Sequence, residues 1–229
     1  MGRRPSSRKP DALTTNLVRL PDRLDPAFLV RAYAAGIFPM ADDAGDISWY
    51  APDPRAVLEH DNLRVSRSLR ATVRAGRYRV TCGMAFEEVM RACAAPRGDG
   101  HDHGDGDGDG DGHGEGTWIN EEFIWAYGVL RHWGLAHSVE AWRGDELVGG
   151  LYGVSIGAAF MGESMFSRAA DASKVCLVAL VERLRARGYL LHDTQFITPH
   201  LERLGATLIP REEYLRRLEH AVTIPCQFL

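Results

Sequence analysis

Residues 136–168 read Ala136-His137-Ser138-Val139-Glu140-Ala141-Trp142-Arg143-Gly144-Asp145-Glu146-Leu147-Val148-Gly149-Gly150-Leu151-Tyr152-Gly153-Val154-Ser155-Ile156-Gly157-Ala158-Ala159-Phe160-Met161-Gly162-Glu163-Ser164-Met165-Phe166-Ser167-Arg168. Short runs rich in β-branched and aromatic residues, separated by glycine-containing turns, predict strands at Ser138–Trp142, Glu146–Ile156 and Ala159–Glu163. The turns fall at Gly144-Asp145 and Gly157, and connections this short join antiparallel neighbours. Downstream, Ser173–Arg187 has the apolar spacing of a long amphipathic helix and stops at Gly188. Leu190–Asp193 then reads as a buried strand, Pro199–Leu204 as a short helix, Thr207–Pro210 as a strand and Arg211–His220 as a helix.

Upstream, Asn120–His132 is predicted helical with Thr117 as its cap, its apolar positions at Phe123, Ile124, Tyr127 and Leu130. Ala85–Cys93 and Ser66–Arg74 read as helices, Tyr78–Thr81 and Val57–Glu59 as short strands. Asp25-Pro26 is the cap and first position of a helix over Ala27–Ala35, ended by Gly36. Between them, 37–40 and 49–55 carry three prolines and three aromatics, which predicts a rigid irregular surface. Strands flanked by helices on this pattern make an α+β chain.

At 229 residues, 45% hydrophobic and 25% charged, the composition is that of a soluble globular protein of one large domain or a small one plus a larger. No apolar run approaches the roughly 18 residues of a membrane span. The basic stretch Met1–Pro10 has no hydrophobic segment after it, so residues 1–24 are expected to be a disordered tail and not a secretory signal. Cys82, Cys93, Cys176 and Cys226 form no C-x-x-C pair, which excludes a sequence-evident zinc site or disulfide framework and suits a reducing cytoplasm. Residues 98–116 are a Gly/Asp/His stretch with nine glycines, expected to be a disordered surface-loop insertion. Its His101, Asp102, His103 and His113 could hold a cation only weakly, and no metal is assigned. Residues 99–115 also hold seven acids and no Lys or Arg, so without them 27 basic residues face 24 acidic ones. The remainder is mildly basic and compatible with an anionic partner.

Several segments resemble the leucyl/phenylalanyl-tRNA–protein transferases. They are Ala136–Glu140, Leu147–Val154, the nine-residue block Phe160–Arg168, Ala172-Ser173-Lys174, Asp193-Thr194-Gln195 and Leu204-Gly205-Ala206. The first half adds Ala32-Tyr33, Gly36–Pro39, Pro52-Asp53-Pro54-Arg55, Ser66–Leu69 and Thr117-Trp118-Ile119. The likeness covers about residues 25–220 apart from 98–116. It implies a small N-terminal domain, placed at 25–64, and a larger one similar to the GNAT acyltransferases, placed at 65–229. It implies a reaction too: leucine or phenylalanine leaves the 3′ end of an aminoacyl-tRNA for a protein beginning with Arg or Lys, marking that protein for degradation.

The residues suit this chemistry. An aminoacyl ester is already activated, so aminolysis needs positioning more than ATP, a metal or another cofactor. The attacking α-amine has a reference pKa of about 7.7–8.0, so roughly a tenth is neutral at pH 7. Asp193 and Gln195, at i and i+2 on a strand, are expected to face one side. In the family the matching pair orients and deprotonates the amine; whether Asp193 is a base or an electrostatic anchor is open at this stage. Glu163, in a strand of apolar and small residues, needs a cationic partner: either the acceptor's guanidinium or ammonium, or Arg168 five residues on.

The resemblance assigns Leu151, Phe160, Met165, Leu180 and Leu184 to the pocket for the donor side chain, and Tyr33 and Trp118 to stacking on the terminal adenosine, with Tyr127 in support. Met40 stands where many members carry Trp, a lost stacking platform worth about 1–3 kcal/mol unless Trp49 or Tyr50 compensates. The stretch usual before Asp25 is shortened here. Independently of the family, Arg64, Arg67, Arg70, Arg74, Arg77 and Arg79 occur in 16 residues without an acid, and Arg67, Arg70 and Arg74 share a helical face. They suit sequence-independent contact with acceptor-stem phosphates. Two rivals stand beside this reading. A CoA-dependent GNAT acetyltransferase would need an R-x-x-G-x-G/A loop, which the chain lacks; a non-catalytic tRNA- or N-degron-binding module would have no use for Asp193-x-Gln195. With no apolar surface stripe left unassigned, a monomer is expected.

Overall fold

In the computed structural model, residues 24–42, 44–95 and 117–229 are described. The tail and the Gly/Asp/His insertion lie outside the described residues. Helix α1 (Pro26–Ala34) begins at Asp25, whose carboxylate accepts the Phe28 N–H at 2.6 Å, and ends at Gly36, whose φ of +77° suits glycine. Next come β1 (Phe38–Ala41), β2 (Ile47–Tyr50), β3 (Arg55–Val57), α2 (Arg67–Arg74), β4 (Arg79–Cys82) and α3 (Phe86–Ala94). After the insertion follow α4 (Glu121–His132), β5 (Ala136–Arg143), β6 (Glu146–Ile156), β7 (Ala159–Ser167) and α5 (Ala172–Ala186). The chain then forms β8 (Leu191–Gln195), α6 (Pro199–Arg203), β9 (Thr207–Ile209) and α7 (Arg211–Val222).

The main sheet has the order β4-β5-β6-β7-β8-β3-β9. β4 to β7 form an antiparallel run. α5 then crosses over so that β8 lies parallel to β7, and β3 lies antiparallel between β8 and β9. Only three residue pairs join β7 to β8, from Ala159↔Leu191 to Met161↔Asp193, after which β7 runs on to Ser167 while β8 ends at Gln195. This antiparallel run, helical crossover and parting parallel pair is the GNAT-like arrangement within an α+β fold. β7 runs four residues past the expected end at Glu163, because a bulge at Tyr152/Gly153 lets β6 keep pairing with Ser164–Ser167. Gly153 makes that bulge possible: a Cβ there would meet the Met161 carbonyl oxygen at 2.4 Å.

Three expectations are corrected here. Residues 38–41 and 47–50 form an antiparallel hairpin and not an irregular surface. Its turn is held by the Asp42 carboxylate, which accepts from the Ala44 and Asp46 N–H groups at 3.0 and 2.9 Å. Pro39 is tolerated because both strands of a two-stranded sheet are edges. Asn120, and not Thr117, caps α4, accepting from the N–H groups of Glu122 and Phe123. Finally, β3, assigned by sequence to the small N-terminal domain, is the sixth strand of the large sheet. Leu24, Leu29, Tyr33 and Phe38 likewise share one core cluster with Phe123, Tyr127 and Tyr152, so the N-terminal elements pack into the larger unit.

Candidate active site

Where β7 and β8 part, a cavity of about 120 Å³ opens. Leu151, Met165, Leu177 and Leu180 form an apolar wall, and Glu163 and Gln195 a polar one. Met40 and Trp118 close one end, and α6 contributes His200 and Leu201.

Asp193 is fully buried. Its Oδ1 accepts from Arg55 Nε at 2.9 Å and from the Gln195 N–H at 2.8 Å; its Oδ2 accepts from Arg55 Nη2 at 2.6 Å and Tyr214 Oη at 2.8 Å. Burial works against the Arg55 charge, but the attraction of Asp193 outweighs it and pushes the guanidinium's pKa up. Arg55 is itself 1% exposed, stacked between the rings of Phe38 and Tyr214 at 4.7 and 4.5 Å, with Nη1 donating to the Gly36 carbonyl. The expectation that Asp193 and Gln195 face one side fails for a local reason. Gln195 has a φ of +62°, the left-handed region, which breaks the strand alternation. Its side chain turns to the cavity, and Nε2 donates to Glu163 Oε1 at 2.9 Å. Asp193 stays behind the wall, absent from the cavity lining.

Glu163 accepts a second hydrogen bond on Oε2 from Tyr127 Oη at 3.3 Å, and the Tyr127 hydroxyl in turn bonds that of Tyr33. Burial, first, and then the charge of Asp193 push the Glu163 carboxyl up to about 8, against the opposing pull of the tyrosine hydroxyls and Arg55. Arg168 is not its partner: its guanidinium lies 5.2 Å from the centre of the Phe166 ring and donates to the Leu147 carbonyl.

The remaining predicted residues divide. Leu151, Met165 and Leu180 line the cavity, whereas Phe160 and Leu184 are fully buried in the second core cluster behind it. Trp118 and Met40 border the cavity. Tyr33 does not: it is 1% exposed and edge-on to Tyr127, so neither ring face is open to a base. Trp49 packs edge-on against Phe28, and Tyr50 stacks on Phe38, so both rings are used internally. Arg64, Arg67, Arg70, Arg74 and Arg77 are all exposed on or beside α2, which packs against α5, the helix that carries Leu177 and Leu180. Sequence reasoning missed Arg55 as the partner of Asp193, Tyr214, and the cavity residues Leu177, His192, Phe196 and His200. One signal was there for Arg55: a buried aspartate demands a buried cation.

The sequence model described as leucyl/phenylalanyl-tRNA protein transferase matches residues 57–219, and that of the same family's N-terminal domain matches 22–53. The chain belongs to this family. Among curated members, the leucyl/phenylalanyl-tRNA–protein transferase of Rubrobacter xylanophilus is 52% identical over 207 residues, covering 90% of this chain and 99% of the relative. That of Herpetosiphon aurantiacus is 49% identical over 207 residues, covering 90% and 98%. That of Nitrosospira multiformis is 48% identical over 199 residues, covering 87% and 80%. The junction between the two matched segments, at 53–57, falls at the start of β3, the strand that carries Arg55. In this transferase family member, the pair Arg55–Asp193 therefore ties the seam to β8, the strand whose Gln195 lines the cavity.

The buried ionisable groups set a pH dependence of stability. Burial, with Arg131, lowers His137 to about 4, and burial, with His60, lowers His192 to about 3, from the usual 6.5. Below about pH 6.5 the unfolded chain takes protons that these two folded histidines refuse, so stability falls as the pH drops. Glu163 has the opposite sign: its raised pKa stabilises below the usual 4.5, and that contribution is lost as the pH rises toward 8. Each group contributes a slope of about 1.4 kcal/mol per pH unit within its window, so two histidines against one glutamate leave a net rise from pH 5 to about 6.5 and then a fall toward 8. Urea denaturation at these three pH values checks this; a stability that rises steadily through pH 8 contradicts the Glu163 assignment.

Proposed function

We propose that this transferase moves leucine or phenylalanine from the 3′ end of an aminoacyl-tRNA to the α-amino group of proteins whose first residue is Arg or Lys, acting as a cytoplasmic monomer. The observation that carries the reading is the cavity itself: an apolar wall and a carboxyl–amide pair meet where two strands part. An apolar cavity of about 150 Å³ elsewhere binds benzene, so this one is of the size for a branched aliphatic side chain, and for a phenyl ring if Met165 yields. Leu151, Met165, Leu177 and Leu180 would receive the donor side chain and refuse a polar one, since nothing on that wall pairs with it. Trp118, with Met40 beside it, would hold the terminal adenosine. Tyr152 Oη and Thr194 Oγ1, buried on the cavity wall with no hydrogen-bond partner among the described residues, would serve the polar atoms of the incoming groups.

Glu163 supplies carboxyl oxygens that would pair with a cationic N-terminal residue, whose charge would draw the buried group into its ionised form; Gln195 orients the amine, and Asp193 anchors Gln195 through its backbone N–H. The test is transfer of radiolabelled leucine from Leu-tRNA to a peptide beginning with Arg, beside the same peptide beginning with Ala. Label on the Arg peptide alone supports donor, acceptor and reaction together; label on both removes the acceptor specificity, and label on neither removes the reaction.

The exposed arginines of α2 carry the phosphate contacts in this reading. Replacing Arg67, Arg70 and Arg74 together by Gln should weaken tRNA binding at low salt and flatten the log–log salt dependence by about 2–3, near 0.7–0.9 per charge removed. Filter binding from low to moderate salt reads both, and an unchanged slope would move the tRNA to another face.

A further inference from the structure

We propose that the inner edge of β7, exposed where β8 parts from it, binds the main chain of the acceptor protein, whose residues behind the reactive amine add a short parallel strand beside Met165 and Ser167. The proposal rests on the transferase reading above and goes beyond it, because it gives the acceptor residues that follow the first a binding surface of their own.

The outer edges of the main sheet are short: β4 has four residues and β9 three. A longer edge lies inside the sheet. β7 pairs with β8 only as far as Met161, and from Gly162 to Ser167 it keeps β6 on one side and no strand on the other. Its burial follows this change: Ala159–Met161 are buried, Gly162–Phe166 half-buried and Ser167 exposed. After Gln195 the chain leaves for α6, and Thr198, His200 and Leu201 from that region line the cavity together with Gly162–Met165.

The alternation of the ladder decides what this edge presents. Past the bulge the register runs Leu151↔Met165, Gly150↔Phe166 and Gly149↔Ser167. The position after Ser167 is hydrogen-bonded, since the Arg168 N–H donates to the Val148 carbonyl at 2.7 Å. Hydrogen-bonded and non-hydrogen-bonded pairs alternate in an antiparallel ladder, so Phe166 and Ser164 bond β6 while the N–H and carbonyl groups of Met165 and Ser167 point the other way. Among the described residues no strand or loop backbone takes up these outward groups. They can therefore exchange water for the backbone of an added strand.

Direction and register follow from where the amine must lie. In the transferase reading it meets Glu163 and Gln195, at the near end of this edge. A chain that starts there and leaves along β7 runs parallel to it, continuing the line that β8 gives up. With the acceptor's first residue opposite Glu163, its third falls opposite Met165. Parallel pairing then brings the carbonyl of the second residue to the Met165 N–H and the N–H of the fourth to the Met165 carbonyl. The fourth residue's carbonyl meets the Ser167 N–H. Any extended chain carries these groups, so the edge reads backbone and not sequence, which suits acceptors that have only their first residue in common.

The experiment is transfer of labelled leucine from Leu-tRNA, by the wild-type chain, to amidated Arg-initiated hexapeptides that carry one backbone N-methyl group at the third, fourth or fifth residue. Methylation at the fourth removes the donor to Met165 and sets a methyl group against β7, so kcat/KM should fall about tenfold or more. At the third and fifth the N–H points away from β7, and kcat/KM should stay within about threefold of the unmodified peptide. Equal losses at all three positions, or a loss at the third and fifth alone, overturn the proposal. So does no loss at any, the result expected if the donor's 3′ end occupies this edge. In each of these cases label on the unmodified peptide leaves the transferase reading standing, whereas an unmodified peptide that takes no label removes both. Length gives a second measure: shortening the amidated acceptor from six residues to two should raise its half-saturation concentration about tenfold or more. A dipeptide that saturates as readily as the hexapeptide overturns the added strand.

Discussion

Arg55→Met is expected to destabilise the protein by about 3–5 kcal/mol, because it leaves the Asp193 carboxylate buried without its cation. The remaining donors, Tyr214 Oη and the Gln195 N–H, are neutral and cannot replace a bidentate guanidinium. Arg55→Lys should lose less, since the charge stays, but it cannot reproduce two parallel N–H bonds from one planar group. Tyr214→Phe removes a single neutral donor, and about 1–2 kcal/mol is expected for it. The informative comparison is Arg55→Met/Asp193→Leu. If the cost lies in the stranded charge, the double variant is more stable than Arg55→Met alone, although it loses the acceptor that holds Gln195 in its left-handed conformation. Guanidinium denaturation of these four variants and of Asp193→Leu alone reads this, and a double variant no more stable than Arg55→Met would refute the stranded-charge account.

This pair also shows where sequence reading stopped. The antiparallel run from residue 136 to 167 was legible because alternation and glycine turns are local signals, and the long helix after it was legible from its period. The hairpin at 38–50 was not. Pro39 and Pro52 speak against strands in a one-dimensional reading, and the Asp42 turn that closes the hairpin became evident only from its two backbone bonds. In the site, Glu163 stands out as a carboxylate among apolar and small residues, and Gln195 as the second member of the Asp193-x-Gln195 pair. The roles of Asp193 and Gln195 could not be separated, because strand parity gave them one face and a single positive φ put them on two. The family resemblance alone places Tyr33 and Phe160 against the donor, since an aromatic that stacks on a substrate and one that stacks on its neighbours look alike in sequence. Arg55 and Tyr214 lie 138 and 21 residues from Asp193, and nothing local couples them to it.

Phe228→Ala is expected to cost about 3–5 kcal/mol, the range for emptying a buried phenylalanine site. Phe228 is 2% exposed, stacked on His137 at 4.4 Å and on Phe160 at 5.5 Å, with Tyr189 edge-on at 6.4 Å. The Arg183 guanidinium sits 5.4 Å from the centre of its ring and donates to its carbonyl oxygen at 2.6 Å. Because Phe160 leans on His192, which borders the cavity, the vacancy would also loosen the wall beneath the donor side chain. At about 2–4 °C per kcal/mol for a protein of this size, the melting temperature should drop by about 10 °C. Phe228→Leu, which keeps most of the apolar volume, should recover more than half of that. A fall of less than about 1 kcal/mol for the alanine variant would mean that the ring's site collapses readily around the gap.

The position of β3 has a consequence for how the molecule comes into being. On a ribosome this strand is finished at residue 57, yet both of its sheet neighbours belong to residues 191–195 and 207–209. At about 5–20 residues per second, the nascent chain carries it without a β partner for on the order of ten seconds. A charge at the first residue of this unfinished strand would meanwhile discourage pairing with neighbouring chains. Only when Asp193 emerges does the same charge change from gatekeeper to keystone, so the cavity wall and the β8-β3-β9 end of the sheet are completed in one late event of biosynthesis.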